Sequence, residues 1–311
     1  MATATAPDLV FVGALTLDAI ALVESNPVPD SRQVALDVAH AGGGPAATAA
    51  VAAARLGART AVVGTVGRDA EGERVLAELR AEGVDTGGIR VEPGRRTGAS
   101  VILVDAAHGT RAIATRPVPE VVLDAAGAAL VDRAAWVHVD HLGWRPVRDH
   151  LADSGAPARL SVDGGNPIDG FTAAGTDLYA PTVPALRERF GQHPVEHLLS
   201  LALEEGARSV VATLGSDGSV ARDASGRHHW AAGHPVDVVS TLGAGDVFHG
   251  ALLVATASGM PLQDALPYAN VAAALSCRGL DGRSAVPTDP EVRAVLGAAS
   301  ATATRPAEEA R

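Results

Sequence analysis

A short glycine-rich turn beside a carboxylate is the part of this sequence best suited to chemistry. Gly243, Ala244 and Gly245 leave their backbone N–H groups uncovered, and Asp246 follows where an apolar helical pattern begins at Val247. Unpaired N–H donors and the helix dipole make such a turn an anion site. A carboxylate beside a bound anion suits proton removal during phosphoryl transfer. The same residues also fit a plain glycine turn with an aspartate in the first helical turn.

Lysine is absent from the sequence, and all 25 basic residues are arginine. A P-loop needs a lysine on the nucleotide phosphates, and a protein kinase needs one on a strand. Schiff-base and pyridoxal phosphate chemistry depend on a lysine amine. The sequence therefore excludes these types of site. Any phosphate charge must be met by backbone N–H groups, arginine or a metal ion.

Composition limits the possible partners. The 311 residues are 47% hydrophobic and 20% charged, which favours one large α/β domain or a domain with an insert. A formal net charge of −11 disfavours nucleic acid and anionic membranes, and few aromatic residues are available for stacking. The single Cys277 excludes an internal disulfide framework. No secretory pattern or membrane-length apolar run is evident, so we expect a cytoplasmic protein with no nucleic-acid or membrane partner.

Short apolar runs alternate with helical patterns along most of the chain. This alternation predicts a mostly parallel sheet covered by helices on both faces, with ligands beyond the carboxyl ends of its strands. The predicted strands are Leu9–Gly13, Thr60–Gly64, Trp136–Val139, Leu160–Val162, Leu178–Ala180, Val210–Thr213 and Val236–Val239. The predicted helices include Ala46–Leu56, Ala70–Glu82, Val195–Glu205 and Val247–Ala257.

Two segments, 19–40 and 97–115, instead show two-residue alternation and turns. Within the second, 100–104 and 111–115 form a candidate hairpin. We interpret these segments as a small β-lid, although an antiparallel edge of the main sheet also fits. The predicted organisation is one domain over 8–297, with lid segments at about 14–40 and 95–118 and flexible tails at 1–7 and 298–311. An exposed lid edge offers a route to a homodimer.

Other polar motifs follow predicted strands. Asp18 could accept hydrogen bonds from a polyol, and Gly42–Gly44 would let a ligand approach the backbone closely. The segment Thr213–Gly218 could hold nucleotide phosphates or form an ordinary hairpin turn. The hydrolase elbow G-x-S-x-G and the three-glycine dinucleotide fingerprint are both missing from the sequence.

Histidine is not expected to bind metal. His138 and His141 flank Asp140, and His228 and His229 lie in a predicted turn. Neither pair has metal-ligand spacing with a third partner, so we expect surface histidines.

The order of the motifs is more specific than any one of them. Taken together they resemble the ribokinase-like, or PfkB-type, sugar kinases over about residues 8 to 297. The motif sequences are most similar to those of the sulfofructose kinase and ketohexokinase branch. The resemblance implies a three-layer α/β/α fold with a mostly parallel central sheet and a small β-sheet lid. The motifs that carry it are Gly42–Gly44, Arg55–Gly57, Gly64–Gly72, Thr213–Gly215 and Gly243–Asp246.

The resemblance implies transfer of the γ-phosphoryl group of ATP to a sugar hydroxyl, with Mg2+ arriving with ATP and a ketose or related sugar as acceptor. Asp246 matches the catalytic base, and its ionised form should be favoured by the adjacent N–H groups. The matching anion hole is Gly243, Ala244 and Gly245. Implied acceptor contacts are Asp18, Gly43, Gly44 and Asp140. Implied nucleotide contacts are Thr213, Gly215, Gly218 and Asn270.

The sequence departs from the family pattern at several positions. Ser240 and Leu242 replace residues that help to hold a monovalent cation, so the resemblance does not establish potassium activation. Thr48 stands where many members have a substrate-binding asparagine. The magnesium-linked Asn-x-x-Glu motif aligns with 182–185, which contains neither key residue, so no metal ligand is named.

Leu142 replaces an arginine of the sulfofructose kinase branch, which disfavours a sulfosugar unless another arginine pairs with the sulfonate. The candidates are Arg111, Arg116 and Arg145. Two other functions stay open from the sequence. One is a nucleoside kinase of the same fold, and the other is a non-catalytic sugar- or nucleotide-binding relative.

Overall fold

Residues 9–303 form two β-sheets and nine α-helices in a computed structural model, which describes side chains through residue 298. The predicted tail 1–7 lies outside this range, as do residues 304–311 of the second predicted tail. Residues 298–303 belong to the last helix. No helix in the described part of the chain is long and apolar enough to cross a membrane.

The strands of the described chain are β1 (Leu9–Val12), β2 (Thr16–Val23), β3 (Asp37–Gly43), β4 (Thr60–Gly67), β5 (Asp85–Glu92), β6 (Gly98–Asp105), β7 (Thr110–Arg116), β8 (Trp136–Val139), β9 (Arg159–Gly164), β10 (Leu178–Pro181), β11 (Val210–Thr213), β12 (Ser219–Arg222) and β13 (His228–Ala231). The helices are α1 (Pro45–Arg55), α2 (Ala70–Ala81), α3 (Ala125–Val131), α4 (Trp144–Ser154), α5 (Val183–Phe190), α6 (Val195–Glu204), α7 (Ala244–Ala257), α8 (Leu262–Ser276) and α9 (Asp289–Ala303).

The larger sheet has nine strands in the order β13-β12-β11-β10-β9-β8-β1-β4-β5. All of its pairs are parallel except those made by β12 and β13. One face packs on α1, α2, α7 and α8, and the other packs on α3 to α6. The central strands β1, β4 and β8 are buried along their whole length, as expected for a sheet covered on both sides. The predicted α/β fold is confirmed.

The smaller sheet is separate, with the strand order β3-β2-β6-β7. The predicted hairpin forms its β6–β7 pair. The alternative of an antiparallel edge of the main sheet is therefore wrong. Ile20, Ile102 and Val104 form a small core with Leu280 on the inner face of this sheet. That contact places the small sheet over the segment that connects α8 to α9.

The predicted strand Val236–Val239 is wrong. These residues join neither sheet, and the side chains of Val238 and Val239 are exposed. Instead, the N–H groups of Val239 and Ser240 both donate to the carbonyl of Cys277. A β-prone run of valines forms a strand only where a sheet edge is available, so tertiary context overrides the local pattern.

Helices α1 and α7 pack side by side and begin at the same end of the main sheet. Their contact is close because Gly250 of α7 faces the backbone of α1. A Cβ on Gly250 would lie 2.4 Å from the carbonyl oxygen of Ala49. The N-terminal residues Gly44 and Gly243 border one cavity as a result.

We expect Gly250→Ala to lower the free energy of unfolding by about 1–2 kcal/mol. Overpacking against backbone costs about 1–3 kcal/mol, and alanine returns at most about 1 kcal/mol of helix propensity. Gly297→Ala on α9 is the matched control, because its Cβ would meet nothing within 4 Å. Urea denaturation of both variants measures the difference. Equal stabilisation of the two would contradict the packing argument.

Candidate active site

A cavity of about 500 Å3 lies between the carboxyl ends of the main-sheet strands and the inner face of the small sheet. It brings together motifs that are more than 200 residues apart in the sequence. The residues named from the sequence that line it are Asp18, Gly43, Gly44, Thr213, Gly243, Gly245 and Asp246. The named residues that do not line it are Asp140, Gly215, Gly218, Ala244 and Asn270.

The N-terminus of α7 is open to this cavity. Gly243 adopts a left-handed conformation with φ of 73°, and no side chain of the described residues caps the helix. A Cβ on Gly243 would lie 2.7 Å from the Cα of Gly282, so glycine is also needed for close packing. A Cβ on Gly245 would meet nothing within 4 Å. The Ala244 N–H donates to the Thr241 carbonyl at 3.3 Å. The N–H groups of Gly243 and Gly245, which line the cavity, can therefore receive an anion, aided by the helix dipole.

Asp18 lies on β2 opposite that helix end, with its carboxylate in the cavity. Thr16 and Ser100 hydrogen-bond to it, while its buried Oδ1 has no partner among the described residues. Burial raises the pKa of Asp18 despite these bonds. Gly43 makes room for the carboxylate, because a Cβ there would lie 2.0 Å from Oδ2. The free oxygen is suited to accept a hydroxyl of a bound polyol.

Arg283 is a functional candidate that sequence reasoning missed. Its guanidinium is buried, donates to the Gly43 carbonyl at 2.9 Å and reaches Thr48 Oγ1 at 3.3 Å. Burial lowers the pKa of Arg283 to about 10, while nearby carboxylates including Asp18 and Asp246 oppose that shift. The side chain therefore stays charged and supplies the positive field below the cavity. The local sequence around Arg283 shows no functional signal beyond an arginine in a turn.

In this structure the Asp140 carboxylate holds neighbouring backbone segments together. Its carboxylate accepts hydrogen bonds from the N–H groups of Ala14 at 2.7 Å, Leu142 at 2.9 Å, Gly143 at 3.2 Å and Ala46 at 3.4 Å. These bonds tie the loop after β1 to the start of α1 and to the turn before α4. Asp140 thus shapes the cavity from behind, and its oxygens are already occupied by backbone donors.

The predicted nucleotide loop follows β11. Thr213 lines the cavity, whereas Gly215 lies in a 3-10 turn and Gly218 packs under the next loop. A Cβ on Gly218 would lie 2.1 Å from the carbonyl of Ala231. Asn270 donates to that same carbonyl and to the Ala232 carbonyl, both at 3.0 Å. In this structure, Asn270 therefore supports the loop that packs on Gly218.

The polar residues at positions that depart from the family pattern make contacts with nearby protein groups. Ser240 is buried, and its Oγ accepts from the Leu242 N–H at 3.1 Å. Thr182 lines the cavity, but its hydroxyl accepts the Ala185 N–H and thereby caps α5. Thr48 contacts Arg283. Each polar side chain at these positions thus has a protein partner.

Arg111 is the one arginine, of the three considered for an acidic acceptor, that lines the cavity. Its guanidinium donates to Thr241 Oγ1 at 3.1 Å and so links the small sheet to the glycine turn. Arg116 instead contacts Glu71 and the Thr97 carbonyl. Arg145 is exposed on α4 and is not among the cavity residues.

The electrostatics of Asp246 differ from the sequence expectation. Burial and the nearby charge of Asp163 raise its pKa to about 7, although His249 and Arg283 oppose the shift. The adjacent N–H groups, which were expected to favour the ionised form, do not outweigh this burial. Asp246 is half-buried and faces the cavity. A carboxylate with a pKa near neutrality suits general-base catalysis better than a strongly acidic one.

The expectation of surface histidines is wrong for His138. It is 1% exposed on β8, and its ring centroid is 5.7 Å from that of His249 on α7. Asp163 at the end of β9 lies beside both rings and lines the cavity together with His249. One signal was available, because a residue three positions after Asp246 lies on the same face of the helix. The position of Asp163 beside these rings could not be predicted from the sequence, because it depends on the order of the strands in the sheet.

The arrangement has the parts of a phosphoryl-transfer centre. It combines an uncapped helix N-terminus, a carboxylate in its first turn and a second carboxylate 228 residues earlier in the sequence, all around one cavity. The buried Arg283 supplies positive charge in the absence of lysine. Such a site can hold a phosphoryl group on backbone donors while a carboxylate takes a proton from a hydroxyl.

Comparison with known proteins agrees with this geometry. The family model described as "pfkB family carbohydrate kinase" matches residues 6–149 and 172–289. The chain is 28% identical over 295 residues to the ATP-dependent ribose-1-phosphate kinase of Halopiger xanaduensis, covering 91% of this chain and 96% of that protein. It is 26% identical over 299 residues to the ketohexokinase of Mus musculus, covering 87% and 97%.

Solved structures show the same fold. A protein from Agrobacterium tumefaciens that is assigned as a ribokinase superposes with a TM-score of 0.83. It shares 29% sequence identity, and the match covers 96% of this chain and 99% of that one. The likeness spans both sheets, so the cavity between them lies in a shared architecture.

We expect kcat/KM for phosphoryl transfer to fall about tenfold per pH unit below about pH 7. The raised pKa of Asp246 means that its carboxylate is protonated below that value and cannot accept a proton. A pH–rate profile with the acceptor below saturation measures this limb. The control is a profile of the coupling enzymes alone. A rate that stays constant from about pH 5 to pH 8 would contradict the assignment.

Proposed function

Because this chain belongs to the pfkB family of carbohydrate kinases, we propose that it transfers the γ-phosphoryl group of ATP to a primary hydroxyl of a ketose or a related sugar. The observation that carries the proposal is the placement of Asp246, the uncapped turn and Asp18 around one cavity. The similarity to a ketohexokinase supports the choice of a ketose.

The acceptor side is polar and lies between the sheets. Asp18 offers a buried oxygen with no partner among the described residues, and Ser100, Thr115 and His141 line the same cavity. A site built to hydrogen-bond several hydroxyls rejects acceptors that lack them, because its own buried polar groups would then be unpaired. This chemistry supports a polyhydroxylated acceptor.

The phosphoryl side relies on backbone and arginine. In the proposed step, Asp246 takes the proton of the acceptor hydroxyl, the oxygen bonds to the γ-phosphorus and the bond to ADP breaks. The N–H groups of the Gly243–Gly245 turn stabilise the charge that develops on the phosphoryl oxygens. The buried guanidinium of Arg283 adds a positive electrostatic field from behind the cavity wall. Mg2+ enters bound to ATP as part of the substrate.

A nucleoside acceptor is less well supported. Bases are commonly held by stacking on aromatic rings. Among the described residues that line the cavity, none is Phe, Tyr or Trp. Arg111 in the cavity supports testing acceptors with an anionic substituent as well.

The homodimer stays a prediction, and we place it on the outer face of the small sheet. Val38 and Val101 are 58% and 59% exposed on that face, and Val34 and Leu36 are exposed in the preceding loop. An apolar face with two sheet edges supports association between two copies.

An acceptor screen tests the proposed reaction. We expect ATP-dependent ADP release with ketoses and little with nucleosides, because the cavity offers hydroxyl partners and no stacking surface. The panel contains ketoses, sulfosugars, phosphosugars, inositols and nucleosides. Acceptor-free ATP hydrolysis is the control. Turnover confined to nucleosides would overturn the sugar acceptor, and turnover with no member of the panel would favour the non-catalytic alternative.

Asp246→Asn should lower kcat with the best acceptor by a factor on the order of 10²–10⁴. ATP affinity should change little, because the backbone N–H groups of the turn are kept. Single-turnover rates and ATP titration measure the two effects separately. The matched control is Asp264→Asn, which changes an exposed aspartate in the first turn of α8. Near-normal turnover of Asp246→Asn would remove Asp246 from the mechanism.

A further inference from the structure

Three potential metal ligands meet beside the cavity on neighbouring elements. His138 on β8, Asp163 on β9 and His249 on α7 each offer one ligand atom, and these atoms lie within 4.8 Å of one another. Their side chains are 1%, 4% and 5% exposed, respectively. Asp163 and His249 line the cavity, and His138 lies behind them. The cluster is therefore enclosed by protein and still reachable from the cavity.

The closest contact in the cluster has the spacing of two ligands on one ion. Nδ1 of His249 lies 3.3 Å from Oδ2 of Asp163. Two ligands of a tetrahedral ion with bonds of ~2.1 Å are about 3.4 Å apart. Nδ1 of His249 makes no hydrogen bond of good geometry to a described residue, and its contact with the Asp163 carboxylate is that of an ion pair. A metal ion bound by both atoms would take the place of the proton between them.

Other contacts fix the orientation of both rings. Nδ1 of His138 is 2.9 Å from Oγ of Ser161, which leaves its Nε2 for another partner. The His249 ring hydrogen-bonds to the backbone of Ala180, and Nδ1 is turned toward Asp163. Histidines that bind metals characteristically use the second ring nitrogen in this way, since the second bond sets the tautomer and the ring angle.

We propose that His138, Asp163 and His249 form a binding site for one divalent transition-metal ion such as Zn2+, with an open position toward the cavity. Two imidazoles and one carboxylate suit Zn2+, Co2+ or Fe2+, whereas Mg2+ prefers oxygen ligands. Three protein ligands with a remaining open position are typical of zinc sites that also contact a substrate. This ion would be separate from the Mg2+ that enters with ATP.

The test uses the full chain, without an affinity tag, after removal of metal with a chelator. We expect equilibrium dialysis against Zn2+ to give one bound ion per chain, and Co2+ to give the visible absorption of a site with nitrogen ligands. His138→Gln and Asp163→Asn should each abolish this binding at a Zn2+ concentration that saturates the unaltered chain. Ser161→Ala, which removes only the partner of His138, should weaken affinity by about 10–100-fold.

The matched control is His229→Gln, since His229 also contacts an aspartate, Asp223, at 3.1 Å. Binding that persists in this variant and disappears in the cluster variants supports the site. Absence of binding to the unaltered chain overturns it, as does equal binding by the cluster variants. The cluster would then be a buried histidine–aspartate ion pair. The measurement needs neither ATP nor a sugar, so its result is independent of the proposed kinase reaction.

Discussion

The site depends on one packing constraint, which is the close approach of α1 and α7 with the N-terminus of α7 left uncapped. Gly250 lets the backbones of the two helices approach closely, and Gly243 lets α7 begin without a capping side chain. A cap residue at that position would stabilise the helix by about 1 kcal/mol, but it would occupy the N–H groups that an anion needs. The structure therefore keeps a weaker helix start where α7 opens to the cavity.

Charge balance is the second constraint. Asp18, Asp163 and Asp246 border one cavity, and their mutual repulsion must be limited. Arg283 and His249 supply the opposing charge from within the protein. The balance is incomplete at Asp246, whose pKa of about 7 reflects burial and a neighbouring carboxylate. Such a pKa suits the base proposed for this site, because a base with a pKa near the working pH both ionises and accepts a proton readily.

The two sheets contribute different residues to the cavity. The main sheet is covered on both faces and holds the strand ends that carry Asp163 and Thr213. The small sheet contributes Asp18, Ser100 and Arg111 from its inner face. The small sheet rests on a core of only a few buried residues, whereas the main sheet is packed on both faces.

The sequence by itself determined the fold class, the glycine turn with Asp246 and the exclusion of lysine-dependent chemistry, because these follow from residue type, order and local periodicity. It could not determine whether Val236–Val239 forms a strand, because these residues would pair only if a sheet edge were available. It also missed Arg283 and Asp163 and predicted His138 at the surface, because the neighbours of these residues are remote in sequence. Asp140 and Asn270 had suitable side chains, yet in this structure backbone partners occupy them. Local pattern fixes what a residue can do, whereas burial and the charges that surround it are set only when distant segments pack together.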